Sequence, residues 1–407
     1  MRIVLAADGT RGDIHPFLAL AQVLAARGAD VLLCAPPDFA GEAGDRGIAY
    51  RSVGLDVKAF LERQAAAVHG TTLDVIRAAK GAVRENLPLQ MAALADAARG
   101  ADLVIGCSTQ LAAATAAELH GARYRFVAYV PGLIPAPDSV PFVLPYPRLR
   151  GPALRAAWWA ARRMFDVLVG RALTRERRAL GLPPVRSVLD HLLGGHVLLA
   201  AEADLAPPPR AARIRVDTIG CLHPFDEDAP LPGKLETFLA AGPPPVYVGF
   251  GSMTDPAPAA TTRLVLAALE RAGVRAILSQ GWAGLGEGAL PESVMAIGAV
   301  PHAALFRRVA AVVHHGGAGT TTTAARAGAP QIVVPHLLDQ YYWASRVADL
   351  GLGTALPSRR RLTADALAGA FAALADNELL TSRAAELGER LRAAIAGRDV
   401  AAAVLDG

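Results

Sequence analysis

Short apolar runs alternate with helical patterns along this chain of 407 residues, and the alternation begins twice. In the first half, a helix is predicted over Pro16–Arg27, and the predicted strands are Arg2–Ala7, Asp30–Ala35, Leu103–Gly106 and Arg125–Tyr129. Strands that alternate with helices build a parallel sheet, because each helical crossover covers one face of that sheet. The first half therefore predicts an α/β domain.

The same alternation restarts after Pro245. A helix is predicted over Ala260–Ala272, and the predicted strands are Val246–Gly249, Ala276–Ser279, Met295–Gly298, Ala311–His314 and Gln331–Pro335. Since 407 residues exceed one ordinary domain, we predict two doubly wound, Rossmann-like α/β domains, residues 1–222 and 246–407. Such folds bind ligands at the carboxyl ends of their strands, so the two domains are predicted to face one cleft.

The segment 223–245, between the two predicted domains, is rich in Pro and acidic residues. We interpret it as a linker that flanks one short helix. The last segment, Ser382–Leu405, has a helical and amphipathic pattern. A final helix of this kind can pack back on the N-terminal domain.

Composition excludes several classes of protein. Hydrophobic residues make up 53% of the chain and charged residues 19%, which favours a large core over disorder. The net charge of +4 is small and no basic stripe with interleaved aromatics occurs, so nucleic acid is not an expected partner. Cys34, Cys107 and Cys221 form no CxxC pair, which favours a reducing cytoplasm. The N-terminus is predicted to be a strand rather than a signal peptide, and no membrane span is expected.

The stretch VVHHGGAGTTTTAARAGAP, 312–330, places glycines between a predicted strand and a helix that begins near Thr320. Bare backbone allows close approach, and the free N–H groups at a helix start attract anions, so the turn predicts a phosphate or diphosphate site. The hydroxyls of Thr320 and Thr321 can add donors, and the His315 ring can donate to a phosphate oxygen. His314 lies one residue earlier and is predicted to pack inside the domain. The alternative is a tight turn whose glycines serve packing alone.

Two other phosphate sites are excluded by their missing motifs. No GxxxxGK[ST] occurs, which excludes a P-loop kinase or ATPase. No GxGxxG follows the first strand, and the second strand lacks a terminal acidic residue for a ribose, which disfavours a nicotinamide-dependent dehydrogenase.

Several motifs occur in a fixed order along nearly the whole chain: GTRGDIHPFLALAQVLAARGADV near the N-terminus, PPPVYVGFGSM at 243–253, ILSQGW at 277–282, VPHAALF at 300–306, and HGGAGTT at 315–321 followed by AGAPQIVVP and DQ. This series resembles family 1 glycosyltransferases of the two-domain GT-B fold, and bacterial antibiotic and sterol-type enzymes in particular. The resemblance implies an acceptor-binding N-terminal domain and a C-terminal domain that binds a nucleoside-diphosphate sugar, here a UDP- or dTDP-hexose. No further cofactor is implied.

The resemblance also implies roles for residues of the C-terminal domain. It places the leaving diphosphate on His315 and on the backbone around Gly317, Gly319 and Thr320, which agrees with the anion site inferred from the residues themselves. The remaining donor-site candidates are Ser252 for the phosphates, Trp282 and the backbone of Val300–His302 for the nucleobase, and Asp339 and Gln340 for the sugar hydroxyls. Without the resemblance, a turn serine, a core tryptophan and a polar loop account for these residues as well.

Inverting sugar transfer requires a base that takes the proton of the acceptor hydroxyl. The family carries a His or Asp at the position where GDIHP places Asp13, so Asp13 is the predicted base. Histidine is a common general base, so His15 is the alternative, either as the base or as a residue that orients Asp13. The DxD pattern in Phe225–Asp228 holds a metal in another glycosyltransferase fold, but here we interpret it as a solvated acidic linker and predict catalysis without a metal.

The acceptor is expected to be a lipophilic small molecule such as a polyketide, sterol, terpenoid or glycopeptide aglycone. The segment 145–165 interleaves Trp158, Trp159 and Phe165 with arginines. It predicts an acceptor wall, a weak contact with an acidic membrane surface, or an ordinary surface helix. Two other functions remain open from sequence: a nucleotide-sugar epimerase of similar architecture, and a non-catalytic nucleotide-sugar-binding protein.

Overall fold

A computed structural model describes residues 1–60, 63, 72–145, 148–222, 229–375, 377–396 and 398–405. The N-terminal half forms a seven-stranded parallel sheet in the order β3-β2-β1-β4-β5-β6-β7. Its strands are β1 Arg2–Ala6, β2 Asp30–Ala35, β3 Ala49–Ser52, β4 Leu103–Cys107, β5 Arg123–Ala128, β6 His196–Leu199 and β7 Arg215–Thr218.

The C-terminal half forms a separate six-stranded parallel sheet in the order β10-β9-β8-β11-β12-β13. Its strands are β8 Val246–Gly249, β9 Ala276–Ser279, β10 Val294–Ile297, β11 Ala311–His314, β12 Gln331–Val333 and β13 Gly353–Ala355. Two parallel-sheet α/β units of this kind confirm the predicted fold class.

Helices cover both sheets, as parallel pairing requires. In the N-terminal half they are α1 Arg11–Ala26, α2 Ala40–Gly44, α3 Thr72–Ala97, α4 Ala113–His120, α5 Gly151–Ala179 and α6 Val188–Leu193. Further along the chain they are α7 Gly233–Ala240, α8 Pro258–Ala272, α9 His302–Phe306, α10 Ala318–Ala327, α11 Gln340–Asp349, α12 Ala364–Ala375, α13 Glu378–Ala396 and α14 Val400–Leu405. Short 3₁₀ turns occur at Pro37–Phe39, Pro131–Leu133 and Arg359–Arg361.

Helix α1 begins at Arg11, five residues before the predicted start at Pro16. Thr10 and Asp13 form a capping box that stabilises the earlier start. Pro16, the first residue of the predicted helix, therefore lies inside it. The cap therefore outweighs the single backbone hydrogen bond that a proline removes.

The predicted C-terminal helix is two helices, α13 and α14, and the second packs on the N-terminal half. Ala401 and Val404 of α14 are buried in the same apolar cluster as Phe17 and Leu20 of α1. Polar contacts reinforce this crossing: Arg27 pairs with Asp399, Arg398 with Glu202 at 2.7 Å, and the buried Arg125 guanidinium donates to the Val404 carbonyl. Helix α14 thus packs on the N-terminal half, although it follows the C-terminal half along the chain.

The two halves also share an apolar interface. One buried cluster joins Leu205 and Ala206 of the N-terminal half to Trp343 and Val347 of α11. Arg346 Nε donates to the Leu205 carbonyl at 2.6 Å beside it. Within the described parts of the chain, no helix has both the length and the apolarity needed to cross a bilayer.

Candidate active site

The loop between β1 and α1 is built around the Asp13 carboxylate. The Thr10 backbone N–H donates to Asp13 Oδ2 at 2.8 Å, and the Ser108 hydroxyl donates to Oδ1. Gly9 has a φ of 132°, and a Cβ at this position would overlap the same carboxylate. Because only glycine tolerates both the backbone angle and the contact, the sequence ADGTRGD sets the position of Asp13.

Burial raises the pKa of Asp13 above its usual range, against the opposing effect of the hydrogen bonds from Ser108 and Thr10. The side chain is nevertheless half-buried rather than enclosed. Oδ2 also accepts from the Thr10 hydroxyl at 3.4 Å, whereas Oδ1 accepts only from Ser108 among the described residues, so Oδ1 keeps an acceptor site for a substrate hydroxyl. The arrangement gives a carboxylate of increased basicity that a ligand can reach.

A second carboxylate, Asp8, lies beside Asp13 and was not among the predicted site residues. Asp8 is 6% exposed, and its Oδ2 accepts hydrogen bonds from Asn86 at 3.1 Å, Gln90 at 3.0 Å and Thr109 at 2.9 Å. Burial raises its pKa to about 6, and the negative charge of Asp13 contributes in the same direction. A single Asp at the end of a strand is an ordinary turn residue in sequence, so no signal identified it.

The partner of His15 is Glu42 rather than Asp13. Its Nε2 lies within ion-pair distance of Glu42 Oε2 of α2, at 3.0 Å, and His15 is the main cause that lowers the pKa of Glu42. His15 also lies close enough to His302 of the C-terminal half to contribute to the low pKa of His302. The structure therefore places His15 at the boundary between the halves, paired with a carboxylate other than Asp13.

The glycine-rich turn between β11 and α10 holds the His315 ring in a narrow gap. A Cβ on Gly317 would lie 2.6 Å from His315 Nε2, and a Cβ on Gly251 would lie 3.0 Å from His315 Cε1. Gly317 is also the N-cap of α10 and supplies no side-chain cap, so the first N–H groups, including that of Gly319, stay available to a ligand. The turn thus combines an uncapped helix start with a histidine, as expected for an anion site.

His315 is neutral and one of its nitrogens lacks a partner. Burial lowers its pKa well below the usual range, and the neighbouring histidines His314, His336 and His302 add to the effect. His315 Nδ1 is buried and makes no hydrogen bond with any described residue. A buried polar atom without a partner is costly, so this nitrogen indicates a position where a ligand completes the site.

The residues next to His315 differ in whether a ligand can reach their side chains. His314 is fully buried: its Nε2 lies 2.9 Å from Gln331 Oε1, and its Nδ1 accepts from the Gly316 N–H at 3.1 Å, so it packs inside the domain as predicted. The suggestion that the Thr321 hydroxyl binds a ligand is wrong, because that hydroxyl is buried and donates to the Gly317 carbonyl at 2.8 Å. Thr320 is half-buried in the first turn of α10.

The loops after β8 and β9 meet beside this turn. The Trp282 backbone N–H donates to the Gly251 carbonyl at 3.1 Å, which joins the loop of Ser252 to that of Trp282. Both side chains are half-buried. A partly open indole at the carboxyl end of a strand can stack on a planar ring.

The His302 side chain is committed to packing. Its Nε2 lies 3.1 Å from the Tyr247 hydroxyl, and its ring stacks on Phe306 with centroids 4.8 Å apart. Burial lowers its pKa to about 4. Only the backbone of Val300–His302 is therefore open to a role at the predicted nucleobase pocket.

Asp339 and Gln340 have different environments. Burial raises the pKa of Asp339 to about 7, and the charge of Asp13 in the other half of the protein adds to the shift, so the two carboxylates lie within electrostatic reach of each other. Gln340 is buried, and its Oε1 accepts from the His336 and Leu337 N–H groups at 2.8 and 3.1 Å. Gln340 thus shapes the loop that presents Asp339.

The DxD pattern is the metal-binding motif that the sequence raised. Phe225–Asp228 lies outside the described residues. Among the residues that are described, no group of three or more His, Cys, Asp or Glu side chains is arranged to hold a metal ion.

Asp8 leads to a prediction about stability. The pKa of Asp8 rises from 3.8 to about 6 on folding, so ionising this residue costs the folded protein stability as pH rises through that interval. The difference corresponds to about 3 kcal/mol at pH 8. We expect Asp8→Asn to gain stability relative to the parent between pH 4 and 8, measured by denaturant unfolding. The exposed Asp30→Asn is the control, and a pH-independent difference for Asp8→Asn would contradict the account.

Known proteins with similar sequences were found for both halves of the chain. Residues 3–101 match the glycosyltransferase family 28 N-terminal domain, and residues 265–406 match the erythromycin biosynthesis protein CIII-like C-terminal domain. Glycosyltransferase GtfE of Amycolatopsis orientalis is 37% identical over 97% of this chain and 98% of its own length. Vancomycin aglycone glucosyltransferase of the same organism is 38% identical over 87% of this chain and 86% of its own.

Solved structures agree in fold. The crystal structure of glycosyltransferase VinC in complex with dTDP superimposes with a TM-score of 0.67 at 22% identity, and the match covers 100% of both chains. Its two α/β domains are those of GT-B enzymes. The family models, the relatives of 37% and 38% identity and the fold all agree, and this chain belongs to the GT-B glycosyltransferase family of the antibiotic-type enzymes.

Proposed function

We propose that the protein transfers a hexose from a UDP- or dTDP-sugar to a hydroxyl group of a lipophilic small molecule, with inversion at the anomeric carbon. The observation that carries the proposal is the half-buried Asp13 carboxylate, which Thr10 and Ser108 hold at the end of β1 and which lies close enough to Asp339 of the C-terminal half to raise the pKa of that residue. A base on one side and an anion-binding turn on the other are what a displacement at a sugar carbon requires.

In the proposed reaction, Asp13 accepts the proton of the acceptor hydroxyl as its oxygen attacks C1 of the sugar. The bond between C1 and the diphosphate oxygen breaks on the opposite face, and the electron pair leaves with the diphosphate. The His315 ring and the N–H groups of Gly319 and Thr320 stabilise the charge that develops there. His15 is the less favoured base, because it is paired with Glu42.

We propose that residues 246–407 bind the donor. Ser252 contacts the phosphates, Trp282 and the Val300–His302 backbone hold the nucleobase, and Asp339 binds sugar hydroxyls. Support comes from the bond between the loops after β8 and β9, from the contact of Gln340, after β12, with Met253 in the loop after β8, and from the dTDP bound by VinC in the same fold. A neutral His315 can donate to phosphate without a metal, so transfer is proposed to need no divalent cation.

We propose that residues 1–222 bind the acceptor. The related vancomycin aglycone glucosyltransferase acts on a glycopeptide aglycone. In this chain, the loop after β5 carries the partly buried apolar residues Leu133, Phe142 and Val143, and it follows Tyr129, whose hydroxyl donates to the Asp13 carbonyl at 2.8 Å. An apolar lining beside the base favours a lipophilic acceptor such as a polyketide, sterol, terpenoid or glycopeptide aglycone.

The test combines donor screening with product analysis. Thermal unfolding with a panel of UDP- and dTDP-sugars identifies the donor, since a ligand at 100 times its Kd stabilises the native state by about 2.7 kcal/mol. The identified donor is then incubated in EDTA with lipophilic acceptors, and mass spectrometry detects the glycoside. An isomerised sugar formed from the donor alone would indicate an epimerase. Binding without any turnover would indicate a non-catalytic protein, and loss of transfer in EDTA would overturn metal independence.

A further inference from the structure

Exposed apolar side chains are concentrated on two neighbouring helices of the N-terminal half. Eight large hydrophobic side chains are exposed in the described part of the chain, and five of them lie on α3 and α5: Ile76, Leu89, Trp159, Met164 and Val167. Trp159 is 68% exposed and Val167 59%. Single exposed apolar residues are common, but a group on adjacent helices indicates a contact surface.

The two helices present these side chains on one side of the molecule. They pack along each other, and Leu87 and Met91 of α3 share a buried apolar cluster with Val169 and Leu173 of α5 against the sheet. Because their inner faces cover the same part of the sheet, their outer faces turn to solvent together. We call this the α3–α5 face.

The α3–α5 face is also basic. The exposed cations of the two helices outnumber their exposed acidic residues, Glu85 and Asp96; the cations are Arg77, Lys80, Arg84, Arg155, Arg163, Arg171, Arg175 and Arg178. Arg77 and Arg163 pair with Asp74 and Asp166 of their own helices, both at 3.4 Å. Lys80, Arg84, Arg155 and Arg171 form no ion pair with any other described residue, so their charges are open to an external anion. A helix that exposes Trp and aliphatic side chains among arginines is typical of an anionic lipid surface.

The same helices reach the proposed acceptor side. Asn86 and Gln90 of α3 hold Asp8, and the Trp158 indole of α5 donates to the Ser139 carbonyl at 2.7 Å. Ser139 belongs to the loop after β5, which begins at Tyr129 beside Asp13. The α3–α5 face and the side of the helices that adjoins the proposed acceptor site are thus opposite surfaces of one pair of helices.

We propose that the α3–α5 face binds the surface of an anionic phospholipid bilayer. Trp159, Met164 and Val167 enter the headgroup region, and the arginines contact lipid phosphates. Binding of this kind is peripheral and weakens with salt. If the proposed function holds, the acceptor is a molecule that partitions into the bilayer, and docking brings the acceptor domain to it.

The test measures co-sedimentation of the purified full chain with vesicles of phosphatidylcholine alone or with 30% phosphatidylglycerol. We expect binding to the anionic vesicles, at least tenfold weaker binding to the neutral ones, and release by high salt. Trp159→Ser with Val167→Ser, and Arg155→Glu with Arg171→Glu, should each reduce the anionic binding at least tenfold. The matched controls are the exposed Leu379→Ser and Arg213→Glu, which should bind as the parent does.

Vesicle binding is measured without the transferase reaction. A failure to bind lipid can therefore be distinguished from a failure of the proposed function. Thermal unfolding and nucleotide binding verify that each variant is folded. Equal binding to both kinds of vesicle, or full binding by the Arg→Glu variant, would overturn the proposal. Self-association of the parent without lipid, abolished by the Trp159 variant, would instead assign the face to a second copy of the chain.

Discussion

Replacing Asp13 by Asn is expected to reduce the rate of sugar transfer by about three orders of magnitude, within the range that a positioned general base contributes. The amide keeps the size of the side chain and can still accept the Thr10 N–H, so the cap of α1 and the stability of the protein should change little. The amide cannot take a proton, so only the chemical step is lost. The measurement is kcat with saturating donor and acceptor, alongside the Kd of the donor.

The pH profile separates this role from a structural one. Because burial raises the pKa of Asp13, transfer by the parent should fall on acidification as the carboxyl is protonated, at a pH above that of an ordinary aspartate. The residual activity of Asp13→Asn should lack this acidic limb. His15→Gln is the matched comparison and should retain most of the activity. A severe loss in His15→Gln together with an active Asp13→Asn would make His15 the base.

Replacing His315 by Ala is the second large expected effect. The ring is neutral and lies beside the uncapped start of α10, so its N–H is a donor to the leaving diphosphate. Removing one donor to a developing charge typically costs about 10²–10³ in kcat. We expect a loss of that size, together with weaker binding of the nucleoside diphosphate and unchanged binding of the nucleoside, both measured by calorimetry.

The adjacent histidine supplies the contrast. His314→Asn should lower stability, because it leaves Gln331 and the Gly316 N–H without their buried partner. The fraction that remains folded should bind the nucleoside diphosphate as the parent does. His315→Gln keeps a donor in the side chain and should lie between the parent and His315→Ala. Equal diphosphate affinity in the parent and His315→Ala would remove His315 from the site.

Hydrophobic patterning located nine of the thirteen strands in the described residues, including the edge strand β10, but it missed the buried strand β6 His196–Leu199 and three outer strands. β2, β8, β9 and β11 were predicted with the bounds they have, since these strands are apolar and buried. The outer strands β3 Ala49–Ser52, β7 Arg215–Thr218 and β13 Gly353–Ala355 were not predicted. They are short, they carry polar or small residues and their side chains are partly exposed, so they lack a continuous apolar run.

The site was predictable where one short segment carries it. The turn from His315 to Thr320 and the loop around Asp13 are local in sequence, and glycine spacing marks both. Asp8 and Ser108 are different, because their importance depends on contacts with residues about 80–95 positions away along the chain. Such contacts depend on how α3 and β4 pack, and no local pattern in a single sequence contains that information.

The crossing of α14 onto the N-terminal half has a consequence for recombining enzymes of this family. A hybrid made by exchanging C-terminal domains at the linker would also exchange α14. The incoming α14 would then not match the N-terminal domain on which it has to pack. Arg27, Arg125 and Glu202 would then meet a foreign tail, and the pocket for Ala401 and Val404 would be filled by other side chains. A workable hybrid needs a second junction near residue 397, so that residues 398–405 stay with the acceptor domain they pack against.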